Sequence, residues 1–226
     1  MLIARRNAMM AGKRLPYDAE VEYLESTGTQ WIDTGVVSTS STSVRFDYEL
    51  TQVPTDTFAA AFGSVGGQYT EYDGFCIFNN PNVPIQARTG RNTNPNIISD
   101  VSVTANVRYA GLLEFNGLQL NGRYYYPSSP GVWSSQLKSI GFFTANDADY
   151  LARRYVKAKF YGFSIGQYNA LVRDFIPVRF TNEQGVSEGA MYNKLGVGGM
   201  NPDGSPRNDG LYRNRGKGAF VLGPDI

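Results

Sequence analysis

Val44-Arg45-Phe46-Asp47-Tyr48-Glu49-Leu50 alternates apolar and polar residues without a fault. A strand points successive side chains to opposite faces, so this stretch predicts a half-buried strand. Val101-Ser102-Val103-Thr104-Ala105-Asn106-Val107 alternates in the same way and predicts a second. Ile176, Val178 and Phe180 alternate around Pro177 and Arg179. Proline has no N–H to give a ladder, which assigns that strand to an edge or a bulge. In Tyr155–Ile165 the apolar parity changes midway: Val156, Ala158 and Phe160 are followed by Tyr161, Phe163 and Ile165. A β-bulge near Phe160-Tyr161 restores one inward face, and burial of both faces is the alternative. Phe75-Cys76-Ile77-Phe78 is an unbroken apolar run, so Cys76 reads as a small core residue.

Turn residues punctuate these runs. Asn116-Gly117 and Asn121-Gly122 are hairpin dipeptides on either side of Leu118-Gln119-Leu120. They predict a tight meander from Leu112 to Tyr126. A short helix around Asp147–Arg153 is the single helix the pattern predicts, with Asn146 and Asp147 as its cap. No repeat of about 20–50 residues is present. About a dozen short strands with frequent turns predict an all-β, two-sheet antiparallel β-sandwich.

Composition agrees with this and removes several mechanisms. The chain has 226 residues, the length of one domain or two small ones. Charged residues make up 18%, against about 25% in an average domain. There is no histidine, which excludes Ser-His-Asp and Cys-His catalysis and His-ligated zinc. Cys76 is the one cysteine, so no intrachain disulfide and no thiolate metal cluster can form.

The net charge of +1 is unevenly spread. Residues 1–16 carry Arg5, Arg6, Lys13 and Arg14 and no acid, while the remaining 210 residues hold 17 basic and 20 acidic side chains. We therefore divide the chain into a basic N-terminal arm at 1–16 and a mildly acidic domain at 17–226. The arm has no uninterrupted apolar core of about 7–15 residues, so it does not read as a secretory signal. As a helix it would have no clean apolar face, because Arg6 and Lys13 fall among Leu2, Ile3, Met9 and Met10. It reads as extended or disordered until a partner orders it; the alternative is a free terminus without a role. No run approaches the ~18 apolar residues of a membrane span.

Three segments resemble one family. Glu22-Tyr23-Leu24-Glu25-Ser26-Thr27-Gly28-Thr29-Gln30-Trp31-Ile32-Asp33-Thr34-Gly35 is similar to the "EYLESTGTQYIDTG" opening of concanavalin A-like, laminin-G-like jelly-roll proteins, many of them from phages and prophages of gut bacteria. Phe160–Ile165 with Leu171–Val178 resembles a later segment of that family. Ala190–Asn193, Leu211–Asn214 and Gly216–Asp225 resemble its ending. Leu118–Gly122 is similar to a hairpin of laminin-G-like domains. The resemblance spans about residues 20–225 and departs at Asn193, where aspartate is common, and in a long Gly196–Asp209 loop. It implies one concanavalin A-like jelly-roll domain, serving as a virion component or surface-exposed binding module that contacts glycans.

Several residues are candidates for chemistry. Tyr69, Tyr72, Tyr124, Tyr126 and Trp133 are the candidate glycan platforms, because sugar C–H faces stack on aromatic rings. Alternation puts Tyr124 and Tyr126 on one face and Tyr125 on the other. Arg5, Arg6, Lys13 and Arg14 are the candidates for docking to an acidic partner. Asp147 and Asp149 are weak calcium candidates, short of the 6–8 oxygens that ion takes; no other cofactor is expected. Glu20, Glu22 and Glu25 outline a glucanase-like carboxylate motif, which requires two carboxyls about 5 Å apart. Arg173-Asp174 reads as an ion pair near a sheet edge or an ordinary surface pair. The scattered basic residues of the body give no nucleic-acid footprint.

The expectation is a non-enzymatic phage structural protein, located in the virion: a capsid-decorating, head-fibre or tail-associated subunit. It docks to other virion proteins through its arm, self-associates, and displays a domain for host glycans, with no nucleic-acid or membrane partner. The alternatives are a carbohydrate-binding lectin of a gut bacterium and a polysaccharide hydrolase.

Overall fold

The alternating residues at 44–50 form a strand with Val44, Phe46, Tyr48 and Leu50 buried and Arg45, Asp47 and Glu49 on the opposite face. The same rule builds most of the molecule. The computed structural model describes residues 15–55, 59–66, 74–90, 97–128, 132–133, 135–136, 138–147 and 155–226, and of Asp147 the backbone alone. Along the chain the strands are β1 (Ala19–Glu20), β2 (Leu24–Thr27), β3 (Ile32–Val37), β4 (Ser43–Leu50), β5 (Ala60–Val65) and β6 (Gly74–Phe78). There follow β7 (Pro84–Gly90), β8 (Ile97–Ser102), β9 (Arg108–Glu114), β10 (Gly117–Leu120), β11 (Arg123–Tyr125) and β12 (Ser139–Phe142). The last are β13 (Ala145–Asp147), β14 (Lys157–Gln167), β15 (Ala170–Thr181), β16 (Ser187–Asn193), β17 (Leu211–Arg213) and β18 (Val221–Leu222).

Among the described residues these strands make two sheets and no helix, a jelly-roll sandwich. The long sheet has the order β11-β10-β9-β4-β14-β15-β16-β17, with β1 added to β15, β2 to β14, and β18 to β2. The short sheet has the order β3-β12-β5-β6-β7-β8, and β13 lies parallel to β5. All other pairs are antiparallel.

Aromatic rings fill the space between the sheets. Phe142 of the short sheet meets Phe163 and Phe175 of the long sheet edge-on, with ring centroids 4.1 and 5.1 Å apart. Phe62 meets Phe163 edge-on at 5.0 Å and packs on Phe46 at a tilt, 5.2 Å away. Each such buried ring is worth about 1.5–3 kcal/mol over exposure, which explains the aromatic-rich composition. Tyr48 is fully buried and gives its hydroxyl proton to Asn79 Oδ1 at 2.9 Å; burial pushes its pKa far up. Strands β5 and β6 are buried on both faces, and Cys76 sits with Ala60, Val65, Phe78 and Ala145 in a second small cluster.

The expected bulge is present: the β14–β4 register shifts between Phe160 and Gly162, returning Phe163 and Ile165 to the interior. Four other expectations change. Pro177 is on neither an edge nor a bulge. It lies between the last β14 pair of β15, Phe163↔Phe175, and its first β1 pair, Glu20↔Val178. There its carbonyl accepts the Val21 amide at 3.1 Å, and neither ladder needs its missing donor. The strand expected at 101–107 stops at Ser102. The Tyr109 hydroxyl takes the Thr104 amide at 2.8 Å, and Asn106 turns the chain at φ 58°.

The Asn121-Gly122 hairpin has both residues at positive φ, as its sequence predicts. The other hairpin turns one residue earlier, on Phe115-Asn116, because Gly117 already pairs with Glu114. The helix expected from Asp147 does not start there. Ala145–Asp147 is strand β13, and residues 148–154, which would carry the rest of that helix and meet its cap, lie outside the described set.

Candidate functional site

The segments that carry the resemblance hold each other in place. In Ser26-Thr27-Gly28-Thr29-Gln30 the Gln30 Oε1 accepts the Thr27 amide at 2.8 Å and the Ser26 hydroxyl at 3.1 Å. Asn214 Oδ1 accepts the Trp31 and Gly216 amides. Arg215 reaches back to Asp33 Oδ2 at 2.6 Å and lies over the Trp31 ring at 4.9 Å. Asp33 also accepts the Ser139 hydroxyl and the Gly35 amide. A Cβ on Gly216 would collide with the Thr29 carbonyl, so only glycine permits the approach. Every polar group of the opening motif named here is spent on the fold.

Asn193 explains its own departure from aspartate. Its Oδ1 accepts the Asp174 amide at 3.0 Å, while its Nδ2 donates to the Val197 carbonyl at 2.8 Å, which a carboxylate could not do. Asp174 pairs with Lys194 at 2.6 Å rather than with Arg173. Consecutive strand residues point to opposite faces, and Arg173 lies instead toward Tyr212.

The long sheet's outer face carries a polar surface among the described residues, and register orders it into zones. At the β11 edge, Tyr124 and Tyr126 stack on one another at 6.3 Å and an interplanar angle of 16°. They are 49% and 72% exposed, while Tyr125 turns to the core side. From Tyr124 a row of paired residues crosses the face: Gln119, Leu112, Arg45, Ser164, Asp174.

One end of the central strands is a closed polar lattice. Tyr161 donates to Glu49 Oε2, Lys159 Nζ to Glu49 Oε1, and Arg108 to Asp47. The Arg108 guanidinium lies 3.9 Å from the Tyr161 ring centroid, and Tyr161 meets Tyr23 edge-on. Burial and the Glu49 hydrogen bond raise the Tyr161 pKa; the same carboxylate raises that of Lys159.

The other end is a groove of about 460 Å³. Ser43, Arg45, Glu114, Ser164, Asn169 and Leu171 are among its walls. Arg45 and Glu114 have no hydrogen-bond or ion-pair partner among the described residues.

The far end of the same face, at β15–β17, is apolar: Val178, Phe180, Ala190, Tyr192 and Leu211. Leu15 and Tyr17 cover it, with the Tyr17 ring 4.9 Å from that of Tyr192. This is the root of the arm. Arg5, Arg6, Lys13 and Arg14 themselves lie outside the described residues, as do Tyr69, Tyr72 and Asp149.

Of the candidate platforms, the structure brings Tyr124 and Tyr126 together and leaves Trp133 apart. Trp133 is half-buried, edge-on to Phe115 at 5.6 Å and packed against the main core. No cluster of three or more His, Cys, Asp or Glu side chains with metal-site geometry occurs among the described residues. Glu20 and Glu25 sit on separate strands, β1 and β2, with Glu22 in the link between them. Glu20 accepts the Tyr17 hydroxyl at 3.1 Å. Sequence reading missed the Arg45–Glu114 groove. Its one signal was that both residues fall on the outward parity of strands it had placed.

Fold and face together define a β-sandwich with one polar face left open between an aromatic edge and an anchored N-terminal segment. No family model, curated protein or solved structure matches this chain.

Proposed function

We propose that this chain is a non-enzymatic structural protein of a bacteriophage particle, docked through its basic arm and displaying the sandwich outward to bind glycans. One observation carries the reading: the arm's root and the aromatic edge lie at opposite ends of the same sheet face. Tyr17 is seated on β16 and β17, whereas Tyr124 and Tyr126 stand on and beside β11. Six strand spacings separate β11 from β16, about 30 Å. A chain held at its root therefore presents the tyrosines away from the surface that holds it. The +4 arm beside a −3 body supplies the charge for docking on an acidic surface. The sequence resemblance supplies the virion context.

Deleting residues 1–14 while keeping Leu15 and Tyr17 tests the docking. Particle incorporation is expected to fall at least tenfold, with the sandwich's melting temperature unchanged; undiminished incorporation would remove the arm's role. An array of immobilised oligosaccharides tests the display, with Tyr124→Ala/Tyr126→Ala as the variant expected to lose signal. The lectin reading rests on the same tyrosines and survives if glycan binding is strong while incorporation is independent of the arm.

A further inference from the structure

We propose that the groove between Arg45 and Glu114 is a subsite for a neutral sugar unit, gripped by those two side chains and bordered by Tyr168. The inference rests on the reading that this face takes glycans. Three observations carry it.

The first is the open charge pair. On β4, β9 and β14 the other charged side chains of the outer face have partners: Asp47 with Arg108, Glu49 with Lys159, and Lys157 with Gln52. Arg45 and Glu114 have none among the described residues, though they line one groove. A guanidinium offers donors alone and a carboxylate acceptors alone, so together they match a ligand that both donates and accepts, such as adjacent sugar hydroxyls. The pair sums to zero charge. A carboxylated sugar set on Arg45 would also meet Glu114, which selects the neutral class.

The second is the lining. Ser40, Ser41, Thr42, Ser43 and Ser164 turn hydroxyls or backbone to the groove, and Leu171, 52% exposed, supplies an apolar wall. Specific sites for small ligands combine a few placed polar groups with such apolar surface.

The third is Tyr168. The β14–β15 hairpin turns on Tyr168-Asn169, with φ of 52° and 62°. Asparagine and glycine accept that left-handed backbone, whereas a bulky side chain there is an outlier. The turn is pinned: Ser41 Oγ accepts the Tyr168 amide at 3.2 Å, and Gln167 Nε2 donates to the Val37 carbonyl at 2.8 Å. Tyr168 is 75% exposed, so its ring gains no burial in return. The next three residues, Asn169, Ala170 and Leu171, line the groove. An exposed aromatic residue held on a strained backbone beside a cavity is suited to stacking on a sugar.

The full chain would be screened on an array of neutral gluco-, galacto- and manno-oligosaccharides beside uronic-acid oligosaccharides. Titration calorimetry with the best neutral hit would then compare wild type, Arg45→Gln, Glu114→Gln, Tyr168→Asn and Tyr124→Ala. We expect neutral sugars to bind, and the first three variants each to weaken binding at least tenfold. Tyr168→Asn should also melt about 2–4 °C higher, since it relieves the turn. Binding lost in Tyr124→Ala but kept in the three groove variants overturns the subsite and leaves the glycan face standing. Tighter binding of uronic acids, strengthened further by Glu114→Gln, overturns the neutral class. A lower melting temperature for Tyr168→Asn overturns the strain argument. No binding to any sugar on the array overturns the glycan reading beneath the proposal.

Discussion

Two ends of one sheet face, built from the same three strands, treat their charges in opposite ways. At the lattice end Asp47 and Arg108 close to 2.6 Å; at the groove end Arg45 and Glu114 stay apart. Both are diagonal pairs across β4 and β9. Asp47 stands opposite Ala110, and its partner lies opposite Glu49, two residues further along β4. Arg45 stands opposite Leu112, and Glu114 lies opposite Ser43, two residues back. The two pairs therefore use opposite diagonals. A sheet with a fixed hand of twist makes its diagonals unequal, so one pair meets and the other spans a gap. Identical chemistry thus stabilises the fold at one end and is left for a ligand at the other.

The largest effect that sharpens this contrast is expected from Tyr161→Ala. Tyr161 hydrogen-bonds the Glu49 side chain and carries the Arg108 guanidinium on its ring, so its loss unravels the lattice. We expect about 2 kcal/mol of lost stability in urea, from one charge-assisted hydrogen bond and one partly exposed cation–π contact. Sugar binding should be unchanged. Arg45→Ala should show the reverse, staying within about 0.5 kcal/mol of wild type because it removes no internal contact. Equal destabilisation by the two variants would break the comparison.

A smaller effect is expected in double-mutant cycles. Lys159 and Glu49 are mostly buried, and their cycle should give a coupling near the upper part of the about 0.2–1 kcal/mol range of surface pairs. Asp47 and Arg108 are more exposed and should fall lower, shrinking with added salt. Arg45 and Glu114 should give no measurable coupling in the free protein. A coupling there as large as that of Asp47 and Arg108 would mean that the open diagonal closes in solution.

Local pattern carried much of the fold. The parity of residues 44–50, the bulge at Phe160-Tyr161 and the Asn121-Gly122 turn all depend on neighbours within a few residues, and all were legible. The failures share a different cause. Val103 to Val107 kept the alternation of a strand, but the Leu50 carbonyl, far away along the chain, takes the Asn106 amide at 2.7 Å and holds Asn106 at positive φ in a turn. Pro177 looked like an edge residue because the handover from β14 to β1 beside it is a matter of sheet order. The site was less legible than the fold. Tyr124 and Tyr126 could be placed on one face by counting. That Arg45 faces Leu112 rather than an acid depends on the β4–β9 register, which no stretch of either strand encodes alone. Tyr168 was hidden because its turn lacks glycine, the residue that usually advertises one.

The smallest effect concerns alkaline pH and separates the ends once more. The Tyr161 pKa is raised by burial and then by Glu49, above the ordinary value of 10.0. Between the unfolded and folded values the native state holds a proton that the unfolded chain has lost, so stability falls as pH rises through that window. Below about pH 10, where both states are protonated, the contribution is fully present. Lys159 has the same sign, because loss of its proton breaks the hydrogen bond to Glu49 that raises its pKa. Other buried tyrosines, Tyr48 and Tyr212 among them, add to the same alkaline limb. The informative quantity is therefore the difference between wild type and Tyr161→Phe. The variant keeps the ring under Arg108 and loses the titrating hydroxyl, so its stability should decline less steeply above pH 10. Arg45→Gln and Glu114→Gln should retain the wild-type slope. If either groove variant flattens it as much as Tyr161→Phe does, the two ends are electrostatically one site, and the division drawn from their diagonals fails.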